Sequence, residues 1–293
     1  MERINSKVIL AVKETGSFTA AANSLGYTPA GISYIIKSIE KELGFPLFDR
    51  TANGVCLSSE GKLLYSDICL LNSTERNISE KIGAIKGLVC GTVRVLVFDS
   101  VSVRWLPGIL KEFSRDYPGV TVEPITMENS RISEKMVYNH EADCAFFLHF
   151  PIISEIESIP LIKEKMKVVV SSNHPLAGNK VFPVSELGKY PYIRMAFAED
   201  TGIDSIFSCR GVFPNVVYNI DNDYTAMSMV EAGLGFCIFP ELLLKRIPFQ
   251  FHILDFDEPV ERIVSIGTRS MAACSPATLK FIEYTRQWVL NNG

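Results

Sequence analysis

The sequence predicts three short helices and a small β wing, a single long helix, and then a half built of alternating strands and helices. Three observations carry this. Glycines punctuate the first 50 residues at helical intervals, a heptad-spaced apolar seam runs from Leu64 to Ile85, and beyond Gly87–Gly91 the pattern changes to short apolar runs separated by helical stretches. At roughly 150 residues per domain, 293 residues make about two domains.

The first helix has an apolar face of Ile4, Val8, Ile9, Ala11 and Val12, and Gly16 ends it. Ser17 caps a second helix, Phe18–Leu25, closed by Gly26. Thr28-Pro29 is a start signal, a hydroxyl N-cap with proline at the first helical position. The third helix runs to about Leu43, with Gly44 as its stop. Its buried stripe is Ile32, Ile35, Ile36, Ile39 and Leu43, and its other face carries Ala30, Ser33, Tyr34 and Lys37. Asn53-Gly54, between Pro46–Arg50 and Val55–Leu57, signals a hairpin wing. Ser58 or Ser59 caps a helix reaching about Leu88. Its seam of Leu64, Ile68, Leu71, Glu75, Ile78, Ile82 and Ile85 has no core of its own and calls for a second chain.

In the second half, strands are expected at Val93–Phe98, Val120–Ile125, Ala145–Phe150, Val168–Ser171, Tyr192–Met195, Val216–Asn219, Phe236–Phe239 and Ile263–Thr268. Helices are expected at Val103–Tyr117, at Tyr224–Ala232 and from Ser275-Pro276 to about Leu290. This alternation implies parallel α/β packing.

Two helices joined by a tight turn, the second presenting small polar side chains, form a helix-turn-helix, about Phe18 to Lys37. Such a helix fits the major groove because short side chains let its backbone approach base edges. Ser33 and Tyr34 are placed to contact bases or phosphates, and Lys37 and Arg50 to neutralise phosphates. A three-helix core unit without a DNA role has the same pattern.

Further residues make the likeness specific. Phe18-Thr19-Ala20-Ala21-Ala22-Asn23-Ser24-Leu25, Thr28-Pro29-Ala30-Gly31-Ile32-Ser33, Ile36, Ile39-Glu40, Leu43-Gly44, Pro46-Leu47-Phe48, Arg50 and Leu57-Ser58-Ser59-Glu60-Gly61 resemble the LysR-type transcriptional regulators in register. Where that family usually has Ser-Gln-Pro-Ala, this chain has Thr28-Pro29-Ala30-Gly31, so no base contact of the glutamine carries over. Trp105-Leu106-Pro107, the stretch Asp223 to Phe236 and Phe239-Pro240-Glu241 resemble the family's effector half.

The resemblance implies an N-terminal all-α winged helix-turn-helix (1–58), a linker and dimerisation helix (59–88) and a C-terminal α/β two-lobed effector domain like a periplasmic binding protein (91–293). Lobe I is expected at about 91–167 and 271–293, lobe II at about 168–270, with crossovers near 168–172 and 263–270. DNA contacts are expected from Thr28, Pro29, Ala30, Ser33, Tyr34, Lys37, Arg50 and Asn53. Effector contacts are expected by position from Ser100, Ser102, Glu128, Asn129, Phe147, His149, Thr201, Asp221 and Tyr224, each as well suited to a solvated loop. Helix N-termini in such a cleft favour an anion, whereas Asp99, Glu128 and Asp221 favour a cationic or zwitterionic ligand.

The expected partners are double-stranded DNA at a quasi-palindromic promoter site, a small-molecule effector and a second copy of the chain, as homodimer or homotetramer, with RNA polymerase as a further candidate. No cofactor or metal is expected, since the four histidines lack ligand spacing. The seven scattered cysteines, with no CxxC, fit a reducing cytoplasm. No run of about 20 apolar residues predicts a membrane span, and no catalytic constellation is evident. The competing reading is a metabolite-binding or enzymatic α/β protein whose N-terminal module only mediates assembly. The formal charge of −4 lies wholly beyond residue 60, because residues 1–60 carry six basic and six acidic side chains. A neutral module binds non-specific DNA weakly, so pairing of two modules matters more.

Overall fold

The computed structural model describes residues 4–52, 54–86, 89–196, 203–208, 211–245 and 247–293, with backbone alone at 204–206. The chain divides into two compact units, one of residues 1–88 with 139–141, the other of 89–138 and 142–293.

In the first unit, α1 (Ser6–Thr15), α2 (Phe18–Leu25) and α3 (Pro29–Leu43) each end on a left-handed glycine: Gly16, Gly26 and Gly44. A left-handed cap has no steric penalty at glycine and satisfies a terminal carbonyl. Ser17 and Thr28 accept from the backbone N–H of Ala20 and Gly31, as N-caps do. Val8, Ile9, Val12, Ala21, Ala22, Ile32, Ile36 and Leu47 form the core. Ile35 and Leu43 of the expected stripe are only partly buried.

The wing pairs β1 (Phe48–Thr51) with β2 (Gly54–Leu57), Thr51 opposite Gly54. Gly54 thus belongs to the return strand rather than to the turn, and Asn53 lies outside the described residues. Gly54 opens the return strand at φ 125°, and a Cβ there would lie 2.6 Å from the Gly16 carbonyl oxygen. That carbonyl accepts from the Val55 N–H (2.8 Å), which fixes the wing to the end of α1.

Ser58 caps α4 (Ser59–Ile85), accepting from Gly61 N–H and donating to the Pro46 carbonyl. Gly61 packs directly on the Leu47 carbonyl, leaving no room for a side chain. Along the seam, Ile68 is buried, whereas Leu71, Ile78, Ile82 and Ile85 are exposed in the single chain.

The second unit opens with β3 (Gly91–Val97). The single helix expected from Val103 to Tyr117 is two, α5 (Asp99–Arg104) and α6 (Leu106–Asp116). The break falls at Trp105 because Pro107 cannot donate to a preceding carbonyl. β4 (Val120–Thr126) tolerates Pro124 as an edge strand beside β3. Then come α7 (Ser130–Tyr138), β5 (Cys144–Phe147), β6 (Glu157–Ser171), β7 (Val181–Phe182), β8 (Pro191–Met195), α8 (Ile203–Ser208), β9 (Asn215–Ile220), α9 (Asp223–Glu231), β10 (Cys237–Pro240), α10 (Glu241–Leu244), β11 (Phe251–Phe256), β12 (Glu261–Thr268) and α11 (Pro276–Asn292).

The sheet is mixed rather than parallel. β3 runs parallel to β4 and β5, but β12 is antiparallel to β5 and β6, and β6 is antiparallel to β10 and β11. The long β6 makes the first crossover within itself. Residues 157–165 pair with β12, and residues 166–171 with β10 and β11. β12 pairs with β5, and its Val264 and Ile266 enter the core of Val93, Val95 and Phe146. Residues 261–268 thus belong with the first lobe, and the return crossing precedes Glu261 rather than following Ile263. A separate core of Val168, Val170, Phe182, Tyr192, Phe236 and Ile238 marks the second lobe.

Candidate functional site

α3 presents one exposed stripe. Pro29, Ala30, Tyr34 and Lys37 are exposed and Ser33 is partly so, at helical spacings of one, four, five and eight residues from Pro29. Tyr34 is the most exposed large side chain of this helix, at 75%. Thr28 precedes the stripe, its hydroxyl accepting from Gly31 N–H (3.1 Å). Glu40, on the inner side, accepts from the N–H groups of Leu47 and Phe48, tying α3 to the wing. From the wing, the Arg50 guanidinium lies over the Phe18 ring of α2 at 5.7 Å. The wing is therefore braced on α3 by Glu40 and on α2 by Arg50, and α3 and the wing carry the exposed positive groups Lys37, Lys41 and Arg50.

In the second unit, a cleft opens where β6 and β12 cross. Its apolar walls include Phe98, Leu148, Met166, Met195, Ile238 and Phe239. Four carboxylates line it: Asp99 from α5, Glu128 after β4, Asp221 after β9 and Asp223 at the start of α9. Arg262 is the one cation among its described lining residues. The Arg262 guanidinium lies over the Phe98 ring at 5.3 Å. It donates from Nε to Glu164 Oε2 (2.7 Å) and from Nη2 to Ser100 Oγ (2.7 Å), and Nη2 also stands 2.7 Å from Glu164 Oε2 as an ion pair. Glu164 Oε1 accepts from the Leu242 N–H (2.6 Å), so the network also holds the start of α10.

Burial and neighbouring Asp99 push the Glu128 carboxyl up to about 8, although Glu128 also accepts from the Asp99 N–H (2.7 Å). Burial and Asp99 push Asp223 up to about 6, against the pull of Arg262.

Three of the sequence-derived effector residues, Ser100, Glu128 and Asp221, meet in this cleft. The others are placed elsewhere, except Thr201, which lies outside the described residues. Ser102 donates back to the Asp99 carbonyl. Asn129 accepts from Ile132 N–H at the start of α7. Phe147 is fully buried in a core with Leu96 and Val137, while its neighbour Leu148 lines the cleft, because successive strand residues point to opposite faces. His149 stands 3.9 Å from Glu134, and Tyr224 packs on Phe249 with ring centroids 4.7 Å apart. Arg262 was missed, whereas Asp223 falls within the stretch Asp221 to Tyr224 expected to face the first lobe. Asp223 carries a local signal, the first turn of a helix capped by Asn222. Arg262 carries none, since its role depends on facing Glu164 across two strands.

Lys163 and Lys165 are exposed as a polar strand face requires, but Lys167 is nearly buried, paired with Glu241 (3.2 Å) and Asp255. Burial acts to lower its pKa, and the hydrogen bonds it donates to Asp255 and Glu241 outweigh this and raise it. Among the described residues, no three His, Cys, Asp or Glu side chains converge as a metal site.

Comparison with known proteins matches residues 5–62 to "Bacterial regulatory helix-turn-helix protein, lysR family" and residues 86–290 to "LysR substrate binding domain". The chain is 28% identical to the uncharacterized HTH-type transcriptional regulator YvbU of Bacillus subtilis over 96% of both chains. It is 27% identical to the probable HTH-type transcriptional regulator LrrA of Synechococcus elongatus, covering 96% of this chain and 95% of that one. Among solved structures, a full-length OxyR variant from Pseudomonas aeruginosa superposes with a TM-score of 0.77 at 17% identity, covering 99% of this chain and 95% of that one. CbnR complexed with its target DNA gives 0.58 at 22% identity, covering 97% and 98%. The effector-binding domain of QuiR in complex with shikimate gives 0.62 at 20% identity, covering 69% of this chain and 98% of that domain. These structural likenesses establish the fold.

Proposed function

The chain belongs to the LysR family of bacterial DNA-binding transcriptional regulators, and from that membership we propose how its parts divide the work. The reader is residues 1–58, α4 is the connector, and the sensor follows. Ser33 and Tyr34 meet base edges, Lys37 and Arg50 meet phosphates, and Thr28, Pro29, Ala30 and Asn53 border the contact. A small molecule in the cleft meets Ser100, Glu128 and Asp221, together with Asp99, Asp223 and Arg262. Its binding favours one arrangement of the two lobes, and it shifts that balance only by its difference in affinity between them. Two copies pair through the exposed α4 seam, as dimer or dimer of dimers, and place two readers on two half-sites. CbnR complexed with its target DNA and QuiR in complex with shikimate support DNA and a small molecule as the two ligand classes. LysR regulators are generally not enzymes. We assign this chain no reaction, and place its work in the cytoplasm with its promoter DNA.

The observation that carries the reading is the exposed stripe of α3, which no neighbour in its own unit covers while Ile32, Ile36 and Ile39 of the opposite face are buried in the core. A gel-shift series on the DNA upstream of this protein's own gene tests it. The expected result is a sequence-selective shift at moderate salt. Lys37→Ala should weaken it and reduce the salt slope by about 1. Folded protein that shows no sequence preference overturns the reading.

A further inference from the structure

We propose that the effector held in this cleft is a small organic cation, an ammonium or guanidinium group on an apolar body. The inference rests on reading the cleft as the effector site.

The charges facing the cavity lead to it. Four carboxylates approach from four segments of chain: α5, the stretch after β4, the stretch after β9, and α9. The one lining cation is already engaged. Arg262 spends two hydrogen bonds on Glu164 and Ser100 and is ion-paired with Glu164, and Phe98 covers its face. An incoming anion therefore meets no free positive side chain among the described lining residues, and meets carboxyl groups that repel it wherever they are ionised. A cation relieves the mutual repulsion of Asp99, Glu128 and Asp223, and its charge-assisted hydrogen bonds to them are stronger than neutral ones. The rest of the wall is apolar, with Met166, Met195, Ile203, Ile238 and Phe239 offering a surface to a hydrocarbon body.

The same electrostatics dictates which way protons move. Glu128 faces Asp99 and Asp223, and Asp223 faces Asp99 and Arg262; both carboxyls hold protons above the ordinary carboxylate range. A cation pulls those pKa values down and expels protons, so its affinity rises between about pH 6 and 8. An anion pushes them further up, takes up protons and loses affinity over the same window.

The test uses the full-length protein at constant ionic strength and pH 7. Thermal unfolding is followed with 1,5-diaminopentane and methylguanidinium, with shikimate and succinate, and with magnesium chloride. The expected result is that an organic cation raises the melting temperature and calorimetry in two buffers shows net proton release. Glu128→Gln and Asp223→Asn should each weaken that binding by about tenfold or more, the loss of one charge-assisted hydrogen bond. Asp221→Asn serves where either variant fails to fold, and retained promoter binding in the gel shift reports folding. Stabilisation by the dicarboxylate or shikimate with proton uptake, stabilisation by magnesium alone, no response to either organic cation, or an equal response in the variants overturns the inference. Failure of the regulatory reading shows separately. An organic cation that binds the cleft of a protein without sequence-selective DNA binding leaves the ligand class standing and removes the regulator.

Discussion

Glu164 and Lys167 stand three residues apart on β6 and are both ion-paired, yet they lie on opposite sides of the point where that strand changes partners. Glu164 belongs to the stretch paired with β12 and directly faces Arg262; both side chains are 5% exposed. Lys167 belongs to the stretch paired with β10, and its partners Glu241 and Asp255 are about half exposed. Solvent makes the difference. The sealed pair has given up its hydration and depends wholly on its three protein partners, Arg262, Ser100 and the Leu242 N–H. The rim pairs keep water as an alternative partner, which weakens both their attraction and the penalty for losing it. The carboxyl groups of the cleft are a third case, held near one another with no cation to spare among the described lining residues.

Four experiments break or sharpen this comparison. The largest expected effect is from Glu164→Ala, which strands a buried guanidinium and the Leu242 N–H. Urea unfolding should show a loss of about 3–5 kcal/mol. If the sealed network is an all-or-none unit, the double change Glu164→Leu with Arg262→Met should recover most of that loss, because it leaves no uncompensated charge. Recovery of nothing would mean that packing rather than charge dominates the site.

Next is the pH dependence of the cleft. Glu128 and Asp223 have folded-state pKa values of about 8 and 6, above the ordinary 4.5 and 3.8. The folded protein thus binds these protons more tightly than the unfolded chain. Their stabilising contribution is complete below about pH 4 and is lost as the pH rises through about 6 and then about 8. The ligand-free protein should melt at progressively lower temperature across that window, and Glu128→Gln should flatten the upper part of the fall. The smallest effect is expected at the rim. Lys167→Met should change stability by about 1 kcal/mol or less, and added salt should erase even that difference. A loss as large as that of Glu164→Ala would show that the rim is effectively sealed.

The two units differ in how much of them could be read in advance. α2 and α3 begin and end where Ser17, Gly26, Thr28, Pro29 and Gly44 say they should, because a cap acts on backbone groups within four residues of itself. The exposed face of α3 follows from the same local periodicity. In the sensor, the strand at Val168–Ser171 is the visible tail of a strand that begins at Glu157, hidden because Pro160 and the charged run Lys163-Glu164-Lys165 interrupt the apolar pattern of its first half. Phe147 and Leu148 show the limit for sites. A one-residue difference in which face points inward decides which of them meets the ligand, and only the pairing of β5 with β3 and β12 sets that face.

By itself, then, the sequence determined the elements whose causes are local: three capped helices, a hairpin wing, a long helix with an exposed seam, and alternating strands beyond it. Tertiary structure decided the mixed sheet, the point at which β6 changes partners, and the composition of the cleft. Asp99, Glu128, Asp223 and Arg262 are spread over more than 160 positions of sequence, and no periodicity connects them. They come together only because antiparallel pairing of β6 and β12 brings the ends of both lobes to one place. There, burial and Coulomb repulsion act between groups that have no relation along the chain.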